Sequence, residues 1–370
     1  MDRDLLVVGA GPAGCAAAVA ARAAAPGLRV TVIDAARFPR AKPCAGAITG
    51  GGLRELELAG LDLRVPHAVV THAVIRADGV ARRVELPNPA VVVRRAELDH
   101  DLVRQAREAG AEVLEEAALS RLEGAVAHTG KGPVRFRALV AADGVQGASR
   151  RALGLPAGRR APLREAFLAS PAQWDLLFDL DAGVPGYAWR FPCVEAGRAA
   201  ETCGVYALSG GGALESALRE FTRREGVASE RPVSWAMRLF EPGGPVGLGV
   251  ALLAGDALGA DPLAGEGLRY AFWSGRIAGR LAAEALSRGR PPSLARYRAA
   301  LLGTRSGVLL ALAAKLAPRL HGGDPRWRRA ACDRRVAEAF AALVSGEAPL
   351  RPLLELAGRF PSLARSGQPS

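Results

Sequence analysis

The residues best suited to chemistry in this chain lie in a glycine-rich turn near its start. Gly9, Gly11 and Gly14 have the spacing G-x-G-x-x-G, with Pro12 and Ala13 between the last two. The first glycine allows a tight turn, the second removes a side chain that would block a pyrophosphate, and the third lets a helix pack close to a strand. Free N–H groups at the start of that helix attract phosphate. The turn therefore predicts a dinucleotide site.

The segments around this turn have the order that such a site needs. An apolar run over residues 4–8 predicts a buried strand, residues 15–25 predict a helix, and residues 29–33 predict a second strand. Asp34 follows that strand, where a carboxylate can accept hydrogen bonds from ribose hydroxyls. The alternative is a purely structural turn, but strand, helix, strand and acid in this order favour nucleotide binding.

Other segments place polar residues where predicted strands end or a helix begins. Arg95 opens a predicted helix, Asp143 follows one predicted strand, and Gly255 with Asp256 follows another. The carboxyl ends of parallel strands meet at one edge of a sheet, so these residues are expected near the turn. Two alternatives stay open, because Asp256 could instead cap a helix and Arg94 competes with Arg95 for a ligand contact.

Composition narrows the class of protein. The chain has 370 residues, of which 49% are apolar, so it can form a large core. Its five cysteines include no C-x-x-C pair and its five histidines have no metal-ligand spacing, so we expect reduced thiols and no metal. The early glycine-rich turn leaves no room for a signal peptide, and we find no run of about 20 apolar residues. A cytoplasmic protein is expected.

The net charge of +12 is concentrated near the C-terminus. Residues 287–370 contain 15 arginines or lysines and five acidic residues, around an apolar run over 307–314. Either these residues form helices with a solvated basic face, or they dock peripherally on the anionic inner face of a membrane. No specific nucleic-acid partner is expected. The helices are predicted to be broken at Pro318, Gly322-Gly323, Gly346 and Pro352.

The order of these segments over residues 1–286 resembles the FAD-dependent oxidoreductases of the p-hydroxybenzoate hydroxylase fold. The resemblance implies an α/β protein with a Rossmann-type FAD-binding domain, an antiparallel-sheet substrate domain and a C-terminal helical part. The chain has no second G-x-G-x-x-G, so a dedicated NAD(P)H domain is not expected. The implied bounds are 1–60, 90–155 and 250–290 for FAD binding, 61–89 and 156–249 for the substrate, and 291–370 for a basic helical region.

Shorter motifs are similar to those of the geranylgeranyl reductase family. Residues 37–46 contain R-F-P-R and K-P-C-A-G, which resemble the family's R-F-P-R and K-P-C-G-G. Residues 95–99 resemble its R-x-x-F/L-D segment, and residues 187–192 resemble its Y-x-W-x-F-P signature. Residues 255–267 resemble its G-D-A and P-L-x-G-E-G segment. Several motifs in the right order make this resemblance specific.

The chain departs from the family at two positions. Ala45 replaces a glycine, and Pro185 lies one position closer to Tyr187 than in the family's P-x-x-Y. Both departures bear on the substrate rather than on the flavin. The Y-x-W-x-F-P stretch also resembles the W-x-W-x-I-P of flavin halogenases, which the rest of the chain resembles less.

The resemblance implies FAD as the cofactor and an apolar, prenyl-type chain as the substrate. Reduction of an isolated C=C bond needs a hydride from the flavin and a proton from elsewhere. Cys44 is the candidate catalytic residue for this proton, because thiols are mostly protonated at neutral pH. A thiol is a weak acid toward an alkene, so a proton relay is favoured over a strong acid; Cys44 could instead only pack beside the flavin. Tyr187, Trp189 and Phe191 alternate along one predicted strand and would line the substrate site.

The residues implied to contact FAD come from every one of these segments. NAD(P)H, bound transiently, and a small redox protein both stay open as the electron donor. The implied contacts are Gly9, Gly11, Pro12, Ala13, Gly14, Asp34, Ala35, Arg40, Cys44, Ala45, Gly46, Arg95, Asp143, Gly255, Asp256, Pro262, Gly265, Gly267 and Leu268.

Two other functions are compatible with the same fold. One is an FAD-dependent aromatic monooxygenase, which needs fast reduction by NAD(P)H and a site that holds a hydroperoxyflavin. The other is a membrane-docked flavoprotein that passes electrons to quinone without chemistry on a prenyl chain. Likeness of fold alone does not separate these functions.

Overall fold

The glycine-rich turn belongs to a mainly parallel sheet. The computed structural model describes residues 3–168, 174–227 and 230–346, and in this part of the chain the sheet has six strands. Neighbouring strands are parallel except for the first two named below. In spatial order the strands are β16 (Gly247–Leu248), β17 (Ala251–Leu253), β10 (Ala138–Ala141), β1 (Leu5–Val8), β2 (Val30–Ile33) and β6 (Glu112–Leu114).

The apolar runs of the sequence are the central strands of this sheet. Every residue of β17, β10, β1 and β2 is buried, since helices or neighbouring segments cover both faces of a parallel sheet. Helix α1 (Pro12–Ala24) contacts two other helices, α3 (Arg95–Glu108) and α6 (Leu268–Ser287).

Helices α1 and α6 touch backbone to backbone. A Cβ atom added at Gly275 would overlap the carbonyl oxygen of Ala13, and one added at Gly279 would overlap that of Ala17. These glycines lie four residues apart, so they share one face of α6. Their lack of side chains lets the two helices approach more closely than any larger residue would allow.

A second sheet forms the other main layer, with eight strands in the described part of the chain. Neighbouring strands are antiparallel except for one parallel pair, β12 with β4. In spatial order they are β15 (Glu230–Arg238), β11 (Arg160–Leu168), β14 (Arg198–Ala207), β13 (Gly186–Glu195), β12 (Leu176–Asp179), β4 (His67–Ala77), β5 (Val80–Val93) and β3 (Ala47–Ile48).

The hairpin of β4 and β5 is longer than the sequence suggests. Residues 69–93 read as several short runs, because Pro87 and Pro89 interrupt the apolar pattern. In the structure the register of the pair shifts at these prolines, so they lie in an unpaired bulge of β5. A proline there removes no ladder hydrogen bond, and the strand continues through it.

The remaining elements cover the two sheets. Helix α5 packs on one face of the second sheet, whereas α8, α9 and α10 lie on the opposite face. A small antiparallel sheet and two 3-10 turns complete the described chain. These elements are α2 (Gly50–Leu58), β7 (Leu119–Glu123), β8 (Val126–Thr129), β9 (Gly132–Arg135), α4 (Ala148–Ala152), Gly211–Ala213, α5 (Leu214–Arg224), Gly255–Ala257, α7 (Leu294–Leu302), α8 (Arg305–Leu320), α9 (Pro325–Ala331) and α10 (Arg334–Val344).

The predicted break at Pro318 is wrong. Helix α8 passes through this proline and ends two residues later, before Gly322-Gly323. A proline in the last turn removes only one helical hydrogen bond, and the next one, from the His321 N–H to the Ala317 carbonyl, is intact at 2.9 Å. Pro352 lies outside the described residues. Within them no single helix could cross a membrane by length and composition; α7 and α8 pass that test only as a pair bent by 81°.

The contact between α1 and α6 leads to the first prediction. Gly279→Ala should lower the free energy of unfolding by about 2 kcal/mol, because overpacking costs about 1–3 kcal/mol and backbone atoms must move here. This loss exceeds the gain of about 1 kcal/mol that alanine brings to a helix. Denaturant unfolding measures it. The matched control is Gly27→Ala, where a Cβ meets nothing within 4 Å; equal stability of both variants would contradict the contact.

Candidate functional site

A cavity of about 610 Å³ lies where the carboxyl ends of the parallel strands face the second sheet. Nearly all residues implicated by the sequence line it. Gly14 and Pro262 are the two that do not. Those that line it are Gly9, Gly11, Pro12, Ala13, Asp34, Ala35, Arg40, Cys44, Ala45, Gly46, Arg95, Asp143, Tyr187, Trp189, Phe191, Gly255, Asp256, Gly265, Gly267 and Leu268.

The three glycines of the turn have different surroundings. Gly9 has a φ of 101°, and a Cβ there would overlap the backbone of Ala142. A Cβ at Gly14 would overlap the Gly9 carbonyl, so this glycine serves helix packing. At Gly11 the nearest atom to a Cβ is a side-chain nitrogen of Arg40, at 3.6 Å. The protein itself therefore leaves space at Gly11, on the cavity side.

Two helices begin at the cavity without a side-chain cap. Gly11 precedes α1 and Gly267 precedes α6, and neither N-cap residue offers a side-chain acceptor to the first turn. The N–H groups at these helix starts are available to a ligand, and the helix dipoles favour negative charge there. Asp34 fixes the turn beside them, because its carboxylate accepts from the N–H of Ala10 at 2.7 Å and of Ala36 at 2.8 Å.

Arg95 is held in place by Asp99. Its guanidinium forms two hydrogen bonds of 2.8 Å to the buried carboxylate, and Arg40 approaches the same carboxylate at 3.2 Å. Cys44 lies close enough to Arg95 to interact with it electrostatically. Arg94, its rival in the sequence, instead pairs with Glu195 at 2.7 Å and does not line the cavity. The structure thus selects Arg95 for the site.

Two aspartates at strand ends face the cavity in different environments. Asp143 accepts from the Ser149 N–H at 2.8 Å, and burial raises the pKa of its carboxyl. Asp256 approaches Lys42 at 3.8 Å across the cavity. Asp256 lies within the 3-10 turn Gly255–Ala257 and caps no following helix, since Gly267 is the N-cap of α6. Its carboxylate faces the cavity beside Lys42, where a ligand can reach both side chains.

Three side chains hold the loop that precedes α6. Tyr206 donates to the Pro262 carbonyl at 2.9 Å, His321 to the Leu263 carbonyl at 2.8 Å, and Tyr187 to the Ala264 carbonyl at 2.6 Å. Consecutive carbonyls of one loop are thus fixed by β14, α8's C-terminal end and β13. Pro262 lies outside the cavity lining but belongs to this clamp.

Cys44 is joined to an acid that sequence reasoning missed. The N–H of Cys44 donates to Glu165 on β11 at 2.9 Å, and Glu165 lines the cavity while being 1% exposed. Burial raises the pKa of Glu165 to about 7, against the effect of nearby cations. The one signal in the sequence was an acidic residue inside a strand-like run, 121 positions from Cys44.

The far wall of the cavity is aromatic. Tyr187, Trp189 and Phe191 line it from one face of β13, and Phe178 packs edge-on to Phe191 with ring centroids 5.1 Å apart. Phe340 of α10 also lines it, a contact that no sequence pattern predicted. A second cavity of about 120 Å³, between the sheet and α8 to α10, shares Phe178, Tyr187 and Phe340 with the first. These three aromatic side chains therefore lie between two adjoining apolar cavities.

No group of three His, Cys, Asp or Glu side chains within residues 3–168, 174–227 and 230–346 could hold a metal. The predicted absence of a metal stays a prediction.

Comparison with known proteins identifies the family. The FAD binding domain family matches residues 2–169. The menaquinone reductase of Mycobacterium tuberculosis is 34% identical over 352 residues, which cover 85% of this chain and 83% of that protein. Digeranylgeranylglycerophospholipid reductase 2 of Methanopyrus kandleri is 33% identical, covering 77% of this chain and 78% of that protein. The chain belongs to the geranylgeranyl reductase family of FAD-dependent oxidoreductases.

A solved structure confirms the fold expected for this family. A geranylgeranyl bacteriochlorophyll reductase-like protein from Thermoplasma acidophilum superposes with a TM-score of 0.76 at 19% identity, covering 99% of this chain and 98% of that one. The predicted fold class and the predicted cofactor, FAD, are both confirmed. The domain bounds and the roles of single residues stay predictions.

The polar groups that line the cavity, which are the N–H groups of two helix starts and the side chains of Asp34, Lys42 and Asp256, fit FAD. We propose that the start of α1 and the open space at Gly11 receive the pyrophosphate, and that Asp34 accepts from the ribose. Asp256 and Lys42 are placed for the sugar part of the cofactor, and the N–H groups before α6 for the pyrimidine end of the flavin.

The open space at Gly11 supplies the second prediction. Gly11→Val should weaken FAD binding by at least about 100-fold, or about 2.7 kcal/mol, because the valine occupies the space that the pyrophosphate needs. Visible absorbance of the purified protein and titration with FAD measure the loss. Circular dichroism should be unchanged, since a Cβ at Gly11 meets only an arginine end. The control Gly27→Val should bind FAD normally; normal binding by Gly11→Val would remove the assignment.

Proposed function

We propose that the protein reduces C=C bonds of a long prenyl chain. The observation that carries this proposal is the mainly apolar cavity around Cys44 and Trp189, which adjoins a second apolar cavity under α8, α9 and α10. Such a lining suits an extended hydrocarbon rather than a compact aromatic acid. The names of two relatives point to molecules that carry prenyl chains, a menaquinone and a digeranylgeranyl lipid.

Bound FAD in its reduced form supplies the hydride that one alkene carbon receives. The other carbon needs a proton, and the side chains near it are few. Tyr187 commits its only hydroxyl proton to the Ala264 carbonyl at 2.6 Å. Cys44 lines the same cavity and supplies this proton, so its S–H bond breaks as the new C–H bond forms. One hydride and one proton together saturate the double bond.

The residues around Cys44 support this proton transfer. Arg95 interacts electrostatically with Cys44, and its positive charge faces the sulfur from which the proton leaves. Asp99 fixes the guanidinium through two hydrogen bonds. The aromatic wall of Tyr187, Trp189 and Phe191 holds the chain and excludes water from the reacting carbons.

Mass spectrometry of candidate prenyl lipids is the test of this function. Anaerobic protein reduced with dithionite should add two hydrogen atoms per double bond to the lipid, and this design needs no natural electron donor. Incorporation of an oxygen atom, with NAD(P)H and O₂ present, would select an aromatic monooxygenase. Reduction of a quinone ring with an unchanged chain would select a protein that only passes electrons.

Substitution of Cys44 gives the third prediction. Cys44→Ala should retain FAD but reduce turnover by about 100-fold or more, the usual cost of losing a positioned proton donor. Rapid anaerobic mixing followed by mass spectrometry measures the rate. Cys193→Ala is the control, because Cys193 is buried and does not line the cavity. Full turnover by Cys44→Ala would leave the cysteine a packing role.

We also propose that the basic C-terminal helices bring the protein to an anionic membrane, where long prenyl chains reside. Arg326 and Arg335 are exposed on α9 and α10. The apolar run over 307–314 is packed inward, with Leu309 and Leu310 buried, so the attraction is electrostatic rather than by insertion of that run. Each cation near an anionic leaflet contributes about 1 kcal/mol, and salt screens it.

Vesicle sedimentation supplies the fourth prediction. The protein should pellet with anionic vesicles at low salt and stay in the supernatant at high salt or with neutral lipid. Arg326→Glu/Arg335→Glu should pellet less. Arg219→Glu, on α5 and therefore on the opposite face of the second sheet, is the control and should pellet normally. Equal recovery in the supernatant with both lipids would end the proposal.

A further inference from the structure

Glu165 is a buried acid that the proposed reaction leaves unused. It lies on β11 at 1% exposure and lines the main cavity. One carboxyl oxygen accepts from the Cys44 N–H at 2.9 Å. The other oxygen is buried and has no hydrogen-bond partner among the residues that the structure describes. An unpartnered oxygen on a buried acid that faces a cavity needs an explanation.

The cations near Glu165 are engaged by other acids. Lys42 approaches Asp256, Arg94 pairs with Glu195, and Arg95 pairs with Asp99. Lys42 acts on Glu165 from the segment before β3, Arg94 from the N-cap of α3 and Arg95 from its first turn, and all three favour the charged form of Glu165. The thiol of Cys193, from β13 on the same face of the sheet, also interacts electrostatically with Glu165.

The burial of Glu165 outweighs these cations. A carboxylate without an ion-pair partner is costly to bury, so the protonated form is favoured. The pKa of Glu165 is therefore raised by burial to about 7, although the Cys44 N–H and the cations act to lower it. At neutral pH a substantial share of the protein carries a proton on this side chain, next to the residue that gives one away.

We propose that Glu165 is the proton store that reloads Cys44 after each turnover. The inference rests on the proposed role of Cys44. After the thiol has given its proton to carbon, the thiolate takes the carboxyl proton of Glu165 across the cavity, and an S–H bond replaces an O–H bond. Glu165 regains a proton from solvent, which the cavity reaches beside the exposed Ala41. No electrons move in these steps.

Glu165→Gln removes the acidic proton of this side chain but keeps its hydrogen bond to the Cys44 N–H. The amide oxygen of glutamine still accepts from the Cys44 N–H, but the side chain has no acidic proton. The first turnover of the reduced, FAD-loaded variant should keep the wild-type rate, because the proton that Cys44 gives to carbon in that turnover does not come from Glu165. Later turnovers should be slower by about 100-fold, at the lower end of the cost of a lost proton donor. Glu165→Asp should recover part of the loss.

A second measurement does not depend on turnover. The alkylation rate of Cys44 by iodoacetamide, followed against pH in the FAD-loaded protein, should show an inflection near the Glu165 pKa of about 7. Glu165→Gln should lack this inflection. The other four cysteines are buried, and Cys44→Ala supplies the blank. The wild-type profile alone tests the coupling if the variant does not fold.

The outcomes separate this inference from the proposed function. Wild-type rates in all turnovers of Glu165→Gln, with an unchanged alkylation profile, would show that Glu165 only anchors the loop, while Cys44 could still be the donor. Full activity of Cys44→Ala would overturn both the donor role of Cys44 and this inference, while reduction of the prenyl chain would stand. Glu195→Gln, at an exposed acid that pairs with Arg94, is the control for a general change in charge and should behave as wild type.

Discussion

The close contact of α1 and α6 is the constraint on which the site depends. Gly275 and Gly279 have no side chains, so the backbone of α6 rests on the carbonyls of Ala13 and Ala17. This contact places the starts of two helices at the same sheet edge. Both starts lack side-chain caps, so their N–H groups and dipoles act together on one ligand. A dinucleotide with a negatively charged centre is the ligand that this geometry suits.

The second constraint couples the cofactor loop to the apolar wall. Tyr206, His321 and Tyr187 each hold one carbonyl of residues 262–264. The rings of Tyr206 and Tyr187 also line the main cavity, so the same side chains shape the substrate space and fix the loop. A change in this wall therefore alters the cofactor side as well. The hydroxyl of Tyr187 is not free for proton transfer, because it donates to the Ala264 carbonyl.

The sequence alone determined the features that depend on neighbours along the chain. The spacing of Gly9, Gly11 and Gly14, the buried runs of β1 and β2, and the acid at position 34 predicted the nucleotide site, because a βαβ unit is local. The family motifs extended this to FAD. The rule that a proline breaks a helix failed at Pro318, because it ignores where in the helix the proline lies. Pro318 lies in the last turn of α8, where a proline removes only one helical hydrogen bond.

Only the tertiary structure decided which distant residues meet. Glu165 and Cys44 are 121 positions apart, and they form a hydrogen bond because the fold brings β11 and the segment before β3 to the same cavity. Phe340 completes the apolar wall from a helix near the end of the described chain. Arg95 rather than Arg94 enters the cavity because the adjacent side chains of the two residues point to different neighbours. Such contacts depend on how whole helices and strands pack, so the spacing of residues along the sequence does not predict them.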